Sequence, residues 1–80
     1  MSLDTEDETK KWYFSVEDFD GEIEHMGDDG ESVDSDEAKA NPFVGTKKQA
    51  LVEADRRADE WEIINDCFCS NVTTHSLGKI

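Results

Sequence analysis

Lysine and arginine are scarce in this sequence. Only 8 stand against 21 aspartates and glutamates, a formal charge of −13 over 80 residues. A basic nucleic-acid binder needs cations to neutralise phosphates, so no direct nucleic-acid contact is expected. An anionic membrane surface would repel the chain for the same reason. Long apolar runs are missing as well, and no segment approaches the roughly 18 apolar residues that cross a bilayer. Met1 to Glu8 carries neither the basic nor the apolar region of a secretory signal. The expected location is therefore cytoplasmic, where Cys67 and Cys69, the two cysteines, stay reduced. Large apolar residues are few: Leu, Ile, Val and Phe number 16, the border at which high net charge accompanies disorder.

What charge there is lies unevenly. Residues 1–45 hold 15 acids and 3 bases, whereas residues 46–80 hold 6 acids and 5 bases. Acidity belongs to the first half, and the second half is nearly neutral. Residues 1–9 are too polar to offset the entropy of ordering and read as a disordered acidic tail. A single small domain is expected over residues 10–75, with residues 76–80 frayed.

Trp12, Phe14 and Val16 alternate with Tyr13, Ser15 and Glu17, the period of a strand with one buried face. Asp20-Gly21 signals a hairpin, with Glu22 to Met26 as the return strand. A two-residue turn would set Val16 opposite His25 and Glu17 opposite Glu24, a like-charged pair; a longer loop over residues 18–21 is the alternative. Gly27-Asp28-Asp29-Gly30 marks a second turn. Residues 28–41 follow as a mobile acidic loop with room for a short strand near Glu31–Val33, and Asn41-Pro42 ends it. Phe43-Val44 returns to the core as a brief extended segment.

Thr46 and Gln49 have capping-box spacing, and the helix they open is expected to reach Trp61. Ala50, Leu51, Ala54, Ala58 and Trp61 form its apolar stripe, with Glu53, Arg56, Arg57 and Glu60 on the outer face. Residues 62–69 read as a last strand, buried on both faces or bulged near Asn65-Asp66, and residues from Asn71 onward as polar and fraying. The expected fold is a small α+β domain. An antiparallel sheet, the N-terminal hairpin plus the C-terminal strand, packs on one helix in the order β-β-(β)-α-β.

Chemical motifs are thin. Cys67 and Cys69 with His25 and His75 supply zinc-ligand types, but a one-residue spacing is not that of a zinc site, and thiols filling a core face is the simpler reading. Neither Gly21 nor Gly30 can be the sixth position of an EF-hand loop without placing Val16 or His25 first, so no metal site is assigned. There is no Gly-rich phosphate loop, nucleophile elbow or His-Glu-x-x-His motif, so neither enzyme nor cofactor is expected. Trp12 and Trp61 belong to the core, while Tyr13 faces out as a candidate binding anchor.

The acids themselves remain. Their plain reading is solubility. Their functional reading is that Glu17, Glu22 and Glu24, alternating on strands, join Asp28, Asp29 and Glu31 in a face that docks on a basic protein surface. In size and charge alone the chain resembles the small acidic inhibitors that phages direct against host nucleic-acid enzymes. That resemblance implies a protein partner with a groove built for phosphates. The alternative is a small assembly accessory that self-associates, for instance as a homodimer, or binds a partner through a sheet edge carrying Cys67 and Cys69.

Overall fold

The computed structural model describes residues 8–79, so the expected acidic tail at 1–9 falls almost wholly outside it. The elements run β1 (Lys10–Glu17), β2 (Ile23–Met26), β3 (Ser32–Val33), α1 (Ser35–Ala40), β4 (Phe43–Gly45), α2 (Lys47–Asn65) and β5 (Asn71–Lys79). This is the expected α+β architecture: a curled antiparallel sheet against one main helix. No helix among the described residues is long and apolar enough to cross a membrane.

β1 is the centre of the sheet. β5 accompanies it from Lys10 to Glu17, so β2 and β4 must share its other edge, β2 beside residues 14–17 and β4 beside residues 10–12. α1 carries the chain from β3 to β4 past the gap between them, with Ala38 buried. Trp12, Phe14 and Val16 face inward as their alternation predicts. They join Met26 and the helix residues Ala50, Ala54, Ala58 and Trp61 in one core. Small residues at every other buried stripe position let α2 lie close to the sheet. Both indoles find acceptors, Trp12 Nε1 donating to the Gly45 carbonyl at 2.9 Å and Trp61 Nε1 to Ser32 Oγ at 3.2 Å.

The helix starts where its capping box predicts. Gln49 N donates to Thr46 Oγ1 at 3.2 Å and Thr46 N to Gln49 Oε1 at 2.9 Å, a pairing typically worth about 1 kcal/mol. It ends four residues later than expected. Ile63 and Ile64 suggest a strand by their β-branching, but adding them to a helix already anchored by Trp61 costs well under about 1 kcal/mol each. Asp66 then closes the helix in the left-handed region, with φ 53°. The last strand is therefore β5 and not residues 62–69. The Asn71–Lys79 stretch, expected to fray, pairs with β1 along its whole length. Leu51, placed on the buried stripe, is exposed, whereas Arg57, placed outside, is buried to 4% exposure.

The hairpins share one construction that accounts for their register. Asp18 N donates to the Glu22 carbonyl and Gly21 N to that of Asp18; Gly27 N and the Glu31 carbonyl, Gly30 N and the Gly27 carbonyl repeat the scheme. Each loop thus has three residues, Phe19-Asp20-Gly21 and Asp28-Asp29-Gly30, with the glycine last at φ +86° and +84°. Relative to a two-residue turn the pairing moves by one, so Ser15 lies opposite His25 and Glu17 opposite Ile23. The Glu17–Glu24 clash is avoided. In the second loop a Cβ on Gly30 would stand 2.5 Å from Glu60 Cβ and 2.8 Å from the Arg57 carbonyl, which shows how closely this turn seats on α2. Residues 28–41 are consequently not one structureless loop: they contain this turn, β3, and α1 begun by Asp34 with Asp36 and Glu37 in its first turn, where the helix dipole favours acids.

Candidate docking site

α2 starts beside β4, whose Gly45 pairs with Lys10, and its C-terminal connection returns to the far end of β1 through Ser70 N, which donates to the Glu17 carbonyl at 2.7 Å. Helix and central strand thus run side by side in the same direction. The end of β1, the first hairpin loop and the C-terminus of α2 meet at one pole of the domain. Stretches 12–38 and 58–78 contain no Lys or Arg, so that pole is acidic.

Its hairpin half is organised by Asp18. The Asp18 carboxylate accepts from Asp20 N at 2.8 Å and Glu22 N at 2.9 Å, which fixes the loop. Carboxylate oxygens of Asp18, Glu22 and Glu24 lie within 4.8 Å of one another. Since Asp18 is already engaged by backbone amides, the trio is a held concentration of negative charge whose attraction for cations is general. Phe19, 72% exposed, lies in the loop between Asp18 and Glu22, while Ile23, paired with Glu17, is exposed on the other face of the sheet at the same pole. The helix half adds Asp59, Glu62 and Asp66 around the exposed side chains of Ile63, Cys67 and Phe68, which together line one cleft.

The expected docking residues divide into groups. Glu22 and Glu24 lie at the acidic pole. Glu24 is tied inward, because Ser32 Oγ donates to its Oε1 at 2.6 Å. Glu17 also lies at this pole but, through the one-residue register difference, faces the other side of the sheet. Asp28 is part of the fold: its Oδ1 is 3.4 Å from Arg57 Nη2 and its carbonyl accepts from Arg56 at 2.8 Å. Glu31 accepts from Asp29 N at 3.0 Å and so braces the second turn that carries all three of Asp28, Asp29 and Glu31. The acids of this turn do not join the hairpin trio.

Tyr13 belongs to a cluster that the sequence did not foreshadow. On the outer face its ring stacks on His75 at 4.5 Å and lies 5.9 Å from His25, with Lys39 Nζ 5.6 Å from its centroid. Beneath them Ser15, 2% exposed, shares a 2.8 Å hydrogen bond with His75 Nε2. Burial, then the nearby His25 and Lys39, hold the His75 pKa below its usual 6.5. The pair has the distance of a serine nucleophile and its base, but the Ser15 side chain is buried beneath the rings. The one signal that could have found this cluster is Thr73-Thr74-His75 read as a strand, which brings His75 opposite Tyr13.

The cysteines are apart from both histidines, in the connection after α2. Cys67 is exposed, and Cys69 packs on the core. Burial and then Glu62, whose carboxylate accepts from both Cys69 N and Sγ, push the Cys69 pKa up. That shift favours the thiol over the thiolate, which is the nucleophilic form. Among the described residues, Asp18, Glu22 and Glu24 are the group of three or more potential ligands that comes together, and it includes neither thiol. No protein-family model, curated protein or solved structure compared with the chain matches it.

Proposed function

We propose that this chain is a non-enzymatic docking protein that sets its acidic pole on a basic protein surface. The observation carrying this reading is that the pole combines unneutralised carboxylates with exposed apolar side chains, Phe19, Ile23, Ile63 and Phe68. Apolar anchors supply affinity at a desolvated centre, and surrounding charge supplies rate and specificity. In its sharpest form the partner is a nucleic-acid-processing enzyme whose phosphate groove the pole fills, which makes the chain an inhibitor by competition. Reduced thiols fit work in the cytoplasm.

Immobilised chain tests this reading against cell lysate. Basic proteins should be retained at about 0.1 M salt and released at about 1 M, as the screening length falls from about 10 to about 3 Å. Added DNA should displace them, and Glu22→Lys should weaken retention more than Asp36→Lys on α1. Retention indifferent to salt, or equal effects of the two substitutions, would refute the docking pole. A second reading, an assembly accessory working through a sheet edge, is favoured by β5: it pairs with β1 alone among the described strands, so its other edge is open.

A further inference from the structure

Five of the eight bases lie at strand and helix ends opposite the acidic pole. Lys10 and Lys11 begin β1, Lys47 and Lys48 begin α2, and the register of β1 with β4 brings these two starts together. Lys79 occupies the strand position paired with Lys10. This lysine pole is also apolar. Val44, opposite Lys11 in the sheet, Leu51 in the second turn of α2, and Leu77 near the end of β5 are exposed there. Every exposed large hydrophobic among the described residues lies toward one pole or the other, one rich in carboxylates and the other in lysines.

The ends of α2 sharpen the point. A helix favours acids in its first turn and bases in its last. α2 has neither: Lys47 and Lys48 lie in the first turn, and Glu62 and Asp66 lie at the end. Both ends therefore carry charge of the sign that the macrodipole disfavours in an isolated molecule. A second copy placed in line would bring the lysines of one helix to the carboxylates of the next and relieve both ends at once. Net charge opposes such association, but at physiological salt the screening length is about 8 Å, so repulsion between distant acids is largely screened while direct contacts between poles are not.

We propose that the acidic pole of one copy takes the lysine pole of a second copy, head to tail. This proposal rests on the reading of the acidic pole as a docking surface and names this chain itself as one occupant. The contact is heterologous, joining two different patches, so it leaves a free pole at each end and propagates into chains or closes into a ring.

Sedimentation of the full chain over a range of concentrations tests it. The mean mass should rise past twice that of the monomer at about 0.1 M salt and fall toward the monomer at about 1 M. Lys47→Glu with Lys48→Glu should give a monomer, as should Asp20→Lys with Asp59→Lys; both pairs are exposed, and circular dichroism checks that each variant is folded. Mixing the two variants should restore association, because each supplies the charge that the other now lacks. A wild type that stays monomeric, or a mixture that does, overturns the proposal. So does a salt-resistant dimer indifferent to both variants, which would be the open edge of β5 pairing instead. Monomeric behaviour combined with salt-sensitive capture of basic lysate proteins would overturn head-to-tail assembly while leaving the docking pole standing.

Discussion

The two faces of β1 both bury a polar group, and they treat it in opposite ways. On the inner face Arg57 lies 4.8 Å above the Phe14 ring and is held by Glu53 at 2.7 Å, with Asp28 at 3.4 Å. The protein supplies its guanidinium with fixed counter-charges. On the outer face Ser15 is covered by His75, which is held toward its neutral form by burial and then by the nearby His25 and Lys39. One face has paid for a permanent charge with an ion pair, whereas the other has kept a group whose charge can change. The two faces should therefore fail in different pH windows.

The signs follow from the direction of each shift. Hydrogen bonding to Arg56, opposed by burial and reinforced by Arg57, holds the Glu53 carboxyl below its usual 4.5. Its stabilising contribution is present above about 4.5 and is lost as pH falls through the depressed folded value. His75 is lowered from 6.5, so the unfolded chain takes up a proton before the folded one does. Stability therefore declines as pH falls from about 6.5 to the folded value, and His75 adds no further slope below that.

The largest disruption of the inner face is Trp61→Ala. It should cost about 3–5 kcal/mol, read as a lower urea midpoint at every pH between 5 and 8. A loss under 1 kcal/mol would mean that the outer face holds the domain together. Glu53→Gln removes the closer partner of Arg57 and leaves the longer contact to Asp28, for an expected loss of about 1.5–3 kcal/mol. The wild-type decline below pH 4.5 should flatten in this variant; an unchanged acid limb would assign it to other carboxylates. The smallest effect belongs to the outer face. His75→Gln keeps a hydrogen-bonding partner for Ser15 and should cost under about 1 kcal/mol at pH 7. The decline in stability as pH falls below about 6.5 should become shallower, and a slope equal to that of wild type would remove His75 as its source.

Local chemistry was readable in the sequence, and pairing at a distance was not. Thr46 and Gln49 announced α2, and the Trp12-Phe14-Val16 alternation announced the inner face, because each signal lies within a few residues of its consequence. Asp20-Gly21 marked a turn correctly, but the same dipeptide serves a two-residue loop and a three-residue loop ending in a left-handed glycine. Only the second avoids opposing Glu17 to Glu24. Ile63 and Ile64 favoured a strand by type, yet a helix held by Trp61 extends through them at small cost. β5 was missed because its polar residues gain their place from β1, some sixty residues away, as in the Ser15–His75 contact. The acidic pole was visible as charge, but Phe68 joins it only once the chain after α2 returns to Glu17.

Trp61 donates its indole proton to Ser32, and Ser32 donates in turn to Glu24. The core thus has an optical line to the acidic surface. Whatever engages the Glu24 carboxylate alters the polarity sensed by the indole, while the other indole, Trp12, is bonded to Gly45 toward the opposite end. With Trp12→Phe, indole fluorescence would come from Trp61 alone, wired to the docking pole, and occupancy of that pole could be watched without attaching any label.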